Sequence, residues 1–328
     1  VNNFKKNVSF AVILDDEPNA FITENNDLII TSGLIKSSDS YEAIVGVLAH
    51  EIGHIDNFHI TKRKQSIEDL ANLNNLTNIS ILAGSLISNN NEYLFQSLIS
   101  NKLTIQNYFQ SFSREQEREA DFYAIETLNK LNLSATPLKN LLKKIEKETK
   151  RKGIQDEFFR FSSHPIYKER YDIINNGINI NENIFDENLN TRFNFIRGKF
   201  FGYTSDNINE IEEFLQADYY NYAFSIILSK KGKLKKSLLN LNNLIKNNKE
   251  NIHLIETKAD ILYSHGFFSE ALLFYNLSIK KNPNNYYVKK RIFDIKFSIL
   301  DPNDNNKSQA LFNEYKFLLN IFYNNQDL

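Results

Sequence analysis

The run His50-Glu51-Ile52-Gly53-His54 constrains this chain more than any other five residues. It lies where Ile44, Val45, Leu48, Ile52 and Ile55 recur at helical spacing, and Asp39 with Glu42 makes a capping-box-like helix start. On a helix, residues four apart share one face about one turn apart, so the two imidazoles converge. Apolar Val47, Leu48, Ile52 and Ile55 make the helix largely buried. Buried histidines and a buried glutamate need partners, and a metal ion supplies them. Two imidazoles so placed can hold one zinc ion, with Glu51 beside the open position to take a proton from an attacking water. A surface pair on an amphipathic helix fits the apolar neighbours poorly.

A catalytic zinc also needs a third protein ligand. The position six residues after His54 is Ile60, and Asn57 stands where a metzincin has glycine, so that class is excluded. His59 is one residue out of place and reads as a helix-end or packing residue. The alternative is a carboxylate on a later helix. In Ser113-Arg114-Glu115-Gln116-Glu117-Arg118-Glu119-Ala120-Asp121, Glu117 and Asp121 are four apart and share a face, and Ala120 would let two helices approach. Glu117 would bind the metal while Asp121 accepts the free N–H of a ligand histidine. The same spacing also suits a charged, solvated helix.

The rest of the chain divides by pattern. Residues 8–14 suit a buried strand, and Phe21-Ile22-Thr23 with Leu28-Ile29-Ile30 reads as a hairpin whose edge could receive an extended peptide. Helical patterns follow over residues 62–107 and 113–130, and another begins near Pro137. The apolar residues 76–87 read as core packing, with a lid over the cleft or a membrane-touching plug as alternatives. Residues 175–190, rich in Asn, Asp and Glu, read as a linker, which sets domains at 1–190 and 191–328.

In the last third, Gly232 and Gly266 are 34 residues apart, as are Ser237 and Ala271, and Tyr275 and Pro283 complete the second unit. That period and those residue types are the signature of tetratricopeptide repeats, two antiparallel helices each. The first unit has Leu241 for the aromatic and Lys249 for the proline, and residues 285–300 and 308–322 could supply a flanking degenerate pair.

Composition narrows the classes. A net charge of −1 gives no electrostatic case for nucleic acid. The absence of cysteine excludes disulfides, zinc fingers and a cysteine nucleophile. No apolar run is long enough to span a membrane, so membrane contact is at most peripheral. The chain opens on Val1 and contains no methionine, and a processed product is the expectation.

Taken together, these residues resemble the HtpX- and CAAX-prenyl-protease-like gluzincins, and most closely the soluble periplasmic type that joins such a peptidase domain to C-terminal tetratricopeptide repeats. Asn19-Ala20-Phe21, Ser32-Gly33-Leu34, Ser163-His164-Pro165 with Arg170, and Phe195-Ile196-Arg197-Gly198-Lys199-Phe200 carry the resemblance beyond the metal motif. Asn25-Asn26-Asp27 departs from the family's glycine turn, and Phe58 stands where the family often has arginine.

The resemblance implies a mainly α fold with a small β-sheet, a zincin-like peptidase domain followed by a helical solenoid. It makes Glu117 the third zinc ligand beside His50 and His54. It places His164 at the site, over the open zinc position or at the oxyanion, and gives Arg170 a supporting role. It implies a zinc endopeptidase acting in the periplasm on unfolded or misassembled proteins, with the outer-membrane β-barrel assembly machinery as a partner of the repeats. The competing expectation is a catalytically silent repeat scaffold or chaperone on a peptidase fold.

Overall fold

Apolar residues alternate along the hairpin, and that alternation sets the sheet. A computed structural model describes residues 8–23, 25–62, 114–151, 168–177, 184–249, 251–301 and 303–324. They fall into two compact units, Val1–Asn190 and Thr191–Leu328. The fold class is the expected one, mainly helical with a small sheet. Residues 76–87 and the Ser163-His164-Pro165 segment lie outside the described residues.

The first unit opens with β1 (Ser9–Ile13), β2 (Ala20–Ile22) and β3 (Asp27–Thr31). The strand order is β1-β3-β2, with β1 parallel and β2 antiparallel to β3. Ala20 pairs with Ile30 and Ile22 with Leu28, and all four side chains are buried. Asn26 turns the hairpin at φ 64°, a left-handed conformation that asparagine tolerates in place of glycine. The Thr31 hydroxyl then caps α1 (Ser32–Ser37) by accepting from the Leu34 N–H at 3.1 Å, and donates to the Glu17 carbonyl at 2.7 Å.

Helix α2 (Tyr41–Asp56) carries the histidine pair and packs against β2. Its cap is Ser40, not Asp39: the Ser40 Oγ accepts from the Glu42 N–H at 3.1 Å. Glu42 is buried and its carboxylate accepts from the Ser134 N–H at 2.9 Å, so it does not fold back as a capping box requires. Further along this unit lie α3 (Arg114–Lys130), α4 (Thr136–Arg151) with Pro137 in its first turn, and α5 (Lys168–Asn176). Ile125, Leu128, Leu138, Leu142 and Ile174 form a core from α3, α4 and α5, against which Val45 and Val47 of α2 pack.

Helix α6 (Glu187–Thr204) begins inside the stretch expected to be linker. The Asp186 carboxylate accepts from the Leu189 N–H at 2.9 Å, so an acidic residue there starts a helix. After α7 (Ile208–Phe214) come α8 (Ala217–Lys230) and α9 (Leu234–Asn247), α10 (Ile252–Ser264) and α11 (Phe268–Lys281), and α12 (Tyr286–Ser298) and α13 (Asn305–Asn324). These pack as successive pairs.

Gly232 and Gly266 end α8 and α10 at φ 72° and 82°. The next N–H reaches back in each case, Lys233 to the Leu228 carbonyl at 2.8 Å and Phe267 to the Leu262 carbonyl at 2.9 Å. Ser237 and Ala271 are wholly buried, as are Leu241 and Tyr275. The Ser237 hydroxyl donates to the Ser225 carbonyl at 2.7 Å, which satisfies a polar group at a position that alanine fills in the next pair. None of the helices among the described residues is long and apolar enough to cross a membrane.

Candidate metal centre

The site lies where α2 crosses α3, the most extensive element contact among the described residues. His50 and His54 sit one turn apart on α2, and their Nε2 atoms are 3.1 Å apart. Glu117 on α3 faces both: Oε2 is 3.4 Å from His50 Nε2, and Oε1 is 3.6 Å from His54 Nε2. All three are buried, and their ligand atoms lie within 4.8 Å of one another. Glu51 is buried on the same helix, and its charge acts on Arg170.

These donors fit zinc. Bonds of about 2.0–2.2 Å in a tetrahedral site place ligand atoms about 3.3–3.6 Å apart, close to the three separations above. Two imidazoles and a carboxylate are also the donor types of catalytic zinc sites, which keep a fourth position open.

Around the three donors lies a second layer of charge. Asp121, one turn after Glu117, places Oδ1 2.9 Å from His50 Nδ1. Arg170 on α5 grips both oxygens of Asp121, with Nε to Oδ2 and Nη2 to Oδ1 each at 2.8 Å, and its Nη1 lies 3.2 Å from Glu117 Oε2. The sequence suggested Arg170 without naming its partners, and they are these two carboxylates. Burial opposes ionisation of Asp121, but Arg170 and His50 overcome it and hold the carboxyl below the usual range. Burial and Arg170 push the His50 pKa down, and hydrogen bonds to Asp121 and Glu117 leave it raised overall. The Arg170 guanidinium is raised as well, its burial outweighed by Asp121 and Glu117.

Of the two roles expected for His59, helix end or packing, the structure shows packing: its ring lies edge-on to that of His54. His59 is wholly buried, with Nδ1 2.9 Å from His54 Nδ1 and Nε2 2.7 Å from Glu119 Oε2. The cause is Phe58, whose φ of 58° turns the chain back onto α2. Burial, offset in part by Glu119, lowers the His59 pKa and favours its neutral form. Glu119 was missed altogether, since it stands two residues from Glu117 and helical spacing aims it elsewhere. His164 lies outside the described residues.

Residues 2–176 match Peptidase family M48, and the chain belongs to that family of metallopeptidases. It is also similar to the beta-barrel assembly-enhancing protease of Escherichia coli K12, 25% identical over 171 residues, covering 52% of this chain and 34% of that protein. The protein of the same name from Yersinia pestis is 25% identical over 150 residues, covering 45% of this chain and 30% of the relative. A putative one from Vibrio cholerae is 28% identical over 167 residues, covering 50% and 31%. The chain therefore matches about a third of the length of these relatives.

Proposed function

We propose that this chain is a zinc-dependent endopeptidase that cleaves unfolded or misassembled proteins in the periplasm, in the quality control of outer-membrane proteins. The observation that carries the peptidase reading is the convergence of His50 Nε2, His54 Nε2 and Glu117 in a buried site of an M48 chain. His50, His54 and Glu117 would hold the ion. Zinc, when bound, supplies Lewis-acid activation of a water and of the substrate carbonyl.

The protein's own groups do the rest. Glu51 takes the proton of the attacking water at its carboxylate and delivers it to the leaving amine nitrogen. Asp121 holds the His50 ring by its Nδ1–H, and Arg170 holds Asp121 and Glu117 in place. His164 takes the role that the resemblance implies, as a cap over the metal or a donor to the oxyanion. His164→Ala raises basal cleavage in the first case and lowers it in the second.

The compartment and the substrate class rest on the resemblance and on the name of the relatives. The helix pairs of the second unit serve as tetratricopeptide-type repeats that dock a partner, the β-barrel assembly machinery or its stalled substrates. A cavity of about 780 Å³ in that unit, bordered by Tyr203, Asp260, Tyr287 and Arg291, offers polar and aromatic groups for such a contact.

Casein cleavage by the zinc-loaded protein tests the reading. Glu51→Gln retains zinc and loses cleavage. Equal cleavage by wild type and variant overturns the peptidase assignment, and stoichiometric zinc with no cleavage in either favours the silent scaffold.

A further inference from the structure

We infer that His59 and Glu119 form a relay that fixes the second metal-binding histidine, His54, in the tautomer that leaves its Nε2 lone pair facing the site. The inference rests on the zinc reading above and adds two positioning residues to it.

The backbone makes the first part of the case. Helix α2 ends at Asp56, where the Asn57 N–H and side-chain amide both donate to the Gly53 carbonyl, at 3.1 and 3.0 Å. Phe58 then takes φ 58°. For a bulky L-residue the left-handed region costs about 1–2 kcal/mol. Phe58 is 54% exposed, so burial of its ring does not repay that cost. What the turn achieves is to carry His59 back under α2, wholly buried, against His54. Strain of this kind persists where surrounding contacts over-determine it, and it clusters at functional sites.

Counting hydrogens gives the second part. An ionised carboxylate only accepts, so His59 Nε2, 2.7 Å from Glu119 Oε2, must carry a hydrogen. The neutral His59 ring then has a lone pair at Nδ1. That atom is 2.9 Å from His54 Nδ1, so the hydrogen between them belongs to His54. The lone pair of His54 is thereby left on Nε2, the atom that faces His50 Nε2 and Glu117. The opposite order of hydrogens would put a proton on His54 Nε2 and block the metal.

The two ligand histidines are thus fixed in different ways. His50 meets the buried carboxylate of Asp121 directly. At its Nδ1, His54 meets a second imidazole instead, whose Nε2 meets the carboxylate of Glu119, 44% exposed. Partners of this kind orient the ring and raise its basicity, and their loss typically costs about 10–100-fold in metal affinity.

The test uses the full chain. Zinc dissociation constants are measured by competition with a chromophoric chelator for wild type, His59→Leu, His59→Gln and Glu119→Ala. His59→Leu is expected to weaken zinc about 10–100-fold. His59→Gln is expected to stay within a few-fold of wild type, because its amide can accept from His54 and donate to Glu119. Glu119→Ala falls between them.

Nitrogen-15 histidine spectra of the metal-free wild type read the tautomer directly, and His54 should carry its hydrogen on Nδ1. A folded His59→Leu with wild-type affinity, a Gln variant as weak as Leu, or a hydrogen on His54 Nε2 overturns the relay. Should His59→Leu fail to fold, the Gln variant and the spectra decide. Should the wild type bind no zinc, the peptidase reading falls, while the spectra still judge the relay.

Discussion

Gly53 meets Ala120 so closely that a methyl group at Gly53 would stand 3.1 Å from the Ala120 Cα. The same methyl would lie 3.0 Å from the Tyr123 Cβ. This contact sets the distance between the histidine helix and the helix that brings Glu117. Gly53→Ala should therefore force the two helices apart by a few tenths of an ångström and draw Glu117 away from both imidazoles. Overpacking of this kind costs about 1–3 kcal/mol. Denaturant unfolding should show that loss, and chelator competition should show weaker zinc binding. Wild-type values in both would mean that helix spacing does not govern the site.

Arg170 is buried between Asp121 and Glu117, and its removal should harm stability more than any surface change. Breaking a buried ion pair from one side costs about 3–5 kcal/mol, because the other charge is left behind. Arg170→Leu is expected to show such a loss in the metal-free protein. Zinc should recover part of it by neutralising Glu117. Combining Arg170→Leu with Asp121→Asn should cost less than the sum of the two changes, since the groups act as one network. Arg170→Lys should not rescue, because a point charge cannot reproduce the two parallel bonds to Asp121. Strict additivity in melts of the three variants would contradict this account.

Much of the site was legible in the sequence because its geometry is helical. His50, Glu51 and His54 follow from one turn of α2, whereas Glu117 and Asp121, on one turn of α3, were singled out by the family resemblance, their spacing suiting a solvated helix equally well. The mainly helical fold was legible for the same reason, since apolar periodicity reports which face is buried. What could not be read depends on tertiary approach or on unusual backbone. Asp121 and Arg170 are 49 residues apart, and no local pattern pairs them. Phenylalanine is not a residue type that favours the left-handed region, so the turn that recruits His59 left no mark in the sequence. The capping register slipped by one residue because Glu42 was needed by Ser134, a contact 92 residues away.

Asp260 gives a pH prediction distant from the metal. Its carboxyl is raised above the ordinary 3.8, chiefly by burial, against hydrogen bonds from Tyr275 and Tyr287 and the charge of Lys199. A carboxyl raised by folding binds its proton more tightly in the native state. Its contribution to stability is thus fully present below about pH 3.8, the unfolded value, and is lost as pH rises through the higher native value. Asp260→Asn removes that loss while keeping Oδ1 as acceptor for Tyr275 and Tyr287, at 2.6 and 2.7 Å in the wild type. The variant should melt above wild type at pH 7, and the gap should close on acidification towards pH 3.8. A gap that is constant with pH would show that the ionisation of Asp260 is not its source.

Gly232 and Gly266 offer the cleanest test of the helix pairs. Each holds a left-handed φ, and a Cβ added at either would meet nothing within 4 Å. Any cost of Gly266→Ala is therefore conformational, about 1–2 kcal/mol. Gly266→Asn should cost less, since asparagine visits this region with its own local hydrogen bonds. Gly232→Ala should show the same order of loss, because its turn is built in the same way. The two turns meet at Ser229, whose carbonyl accepts from the Gly232 N–H at 2.8 Å and lies 3.2 Å from His265 Nε2, so the double variant should depart from the sum of the single losses. Denaturation of the single and double variants checks this. Unequal single losses would mean that the 34-residue spacing does not reflect equivalent turns.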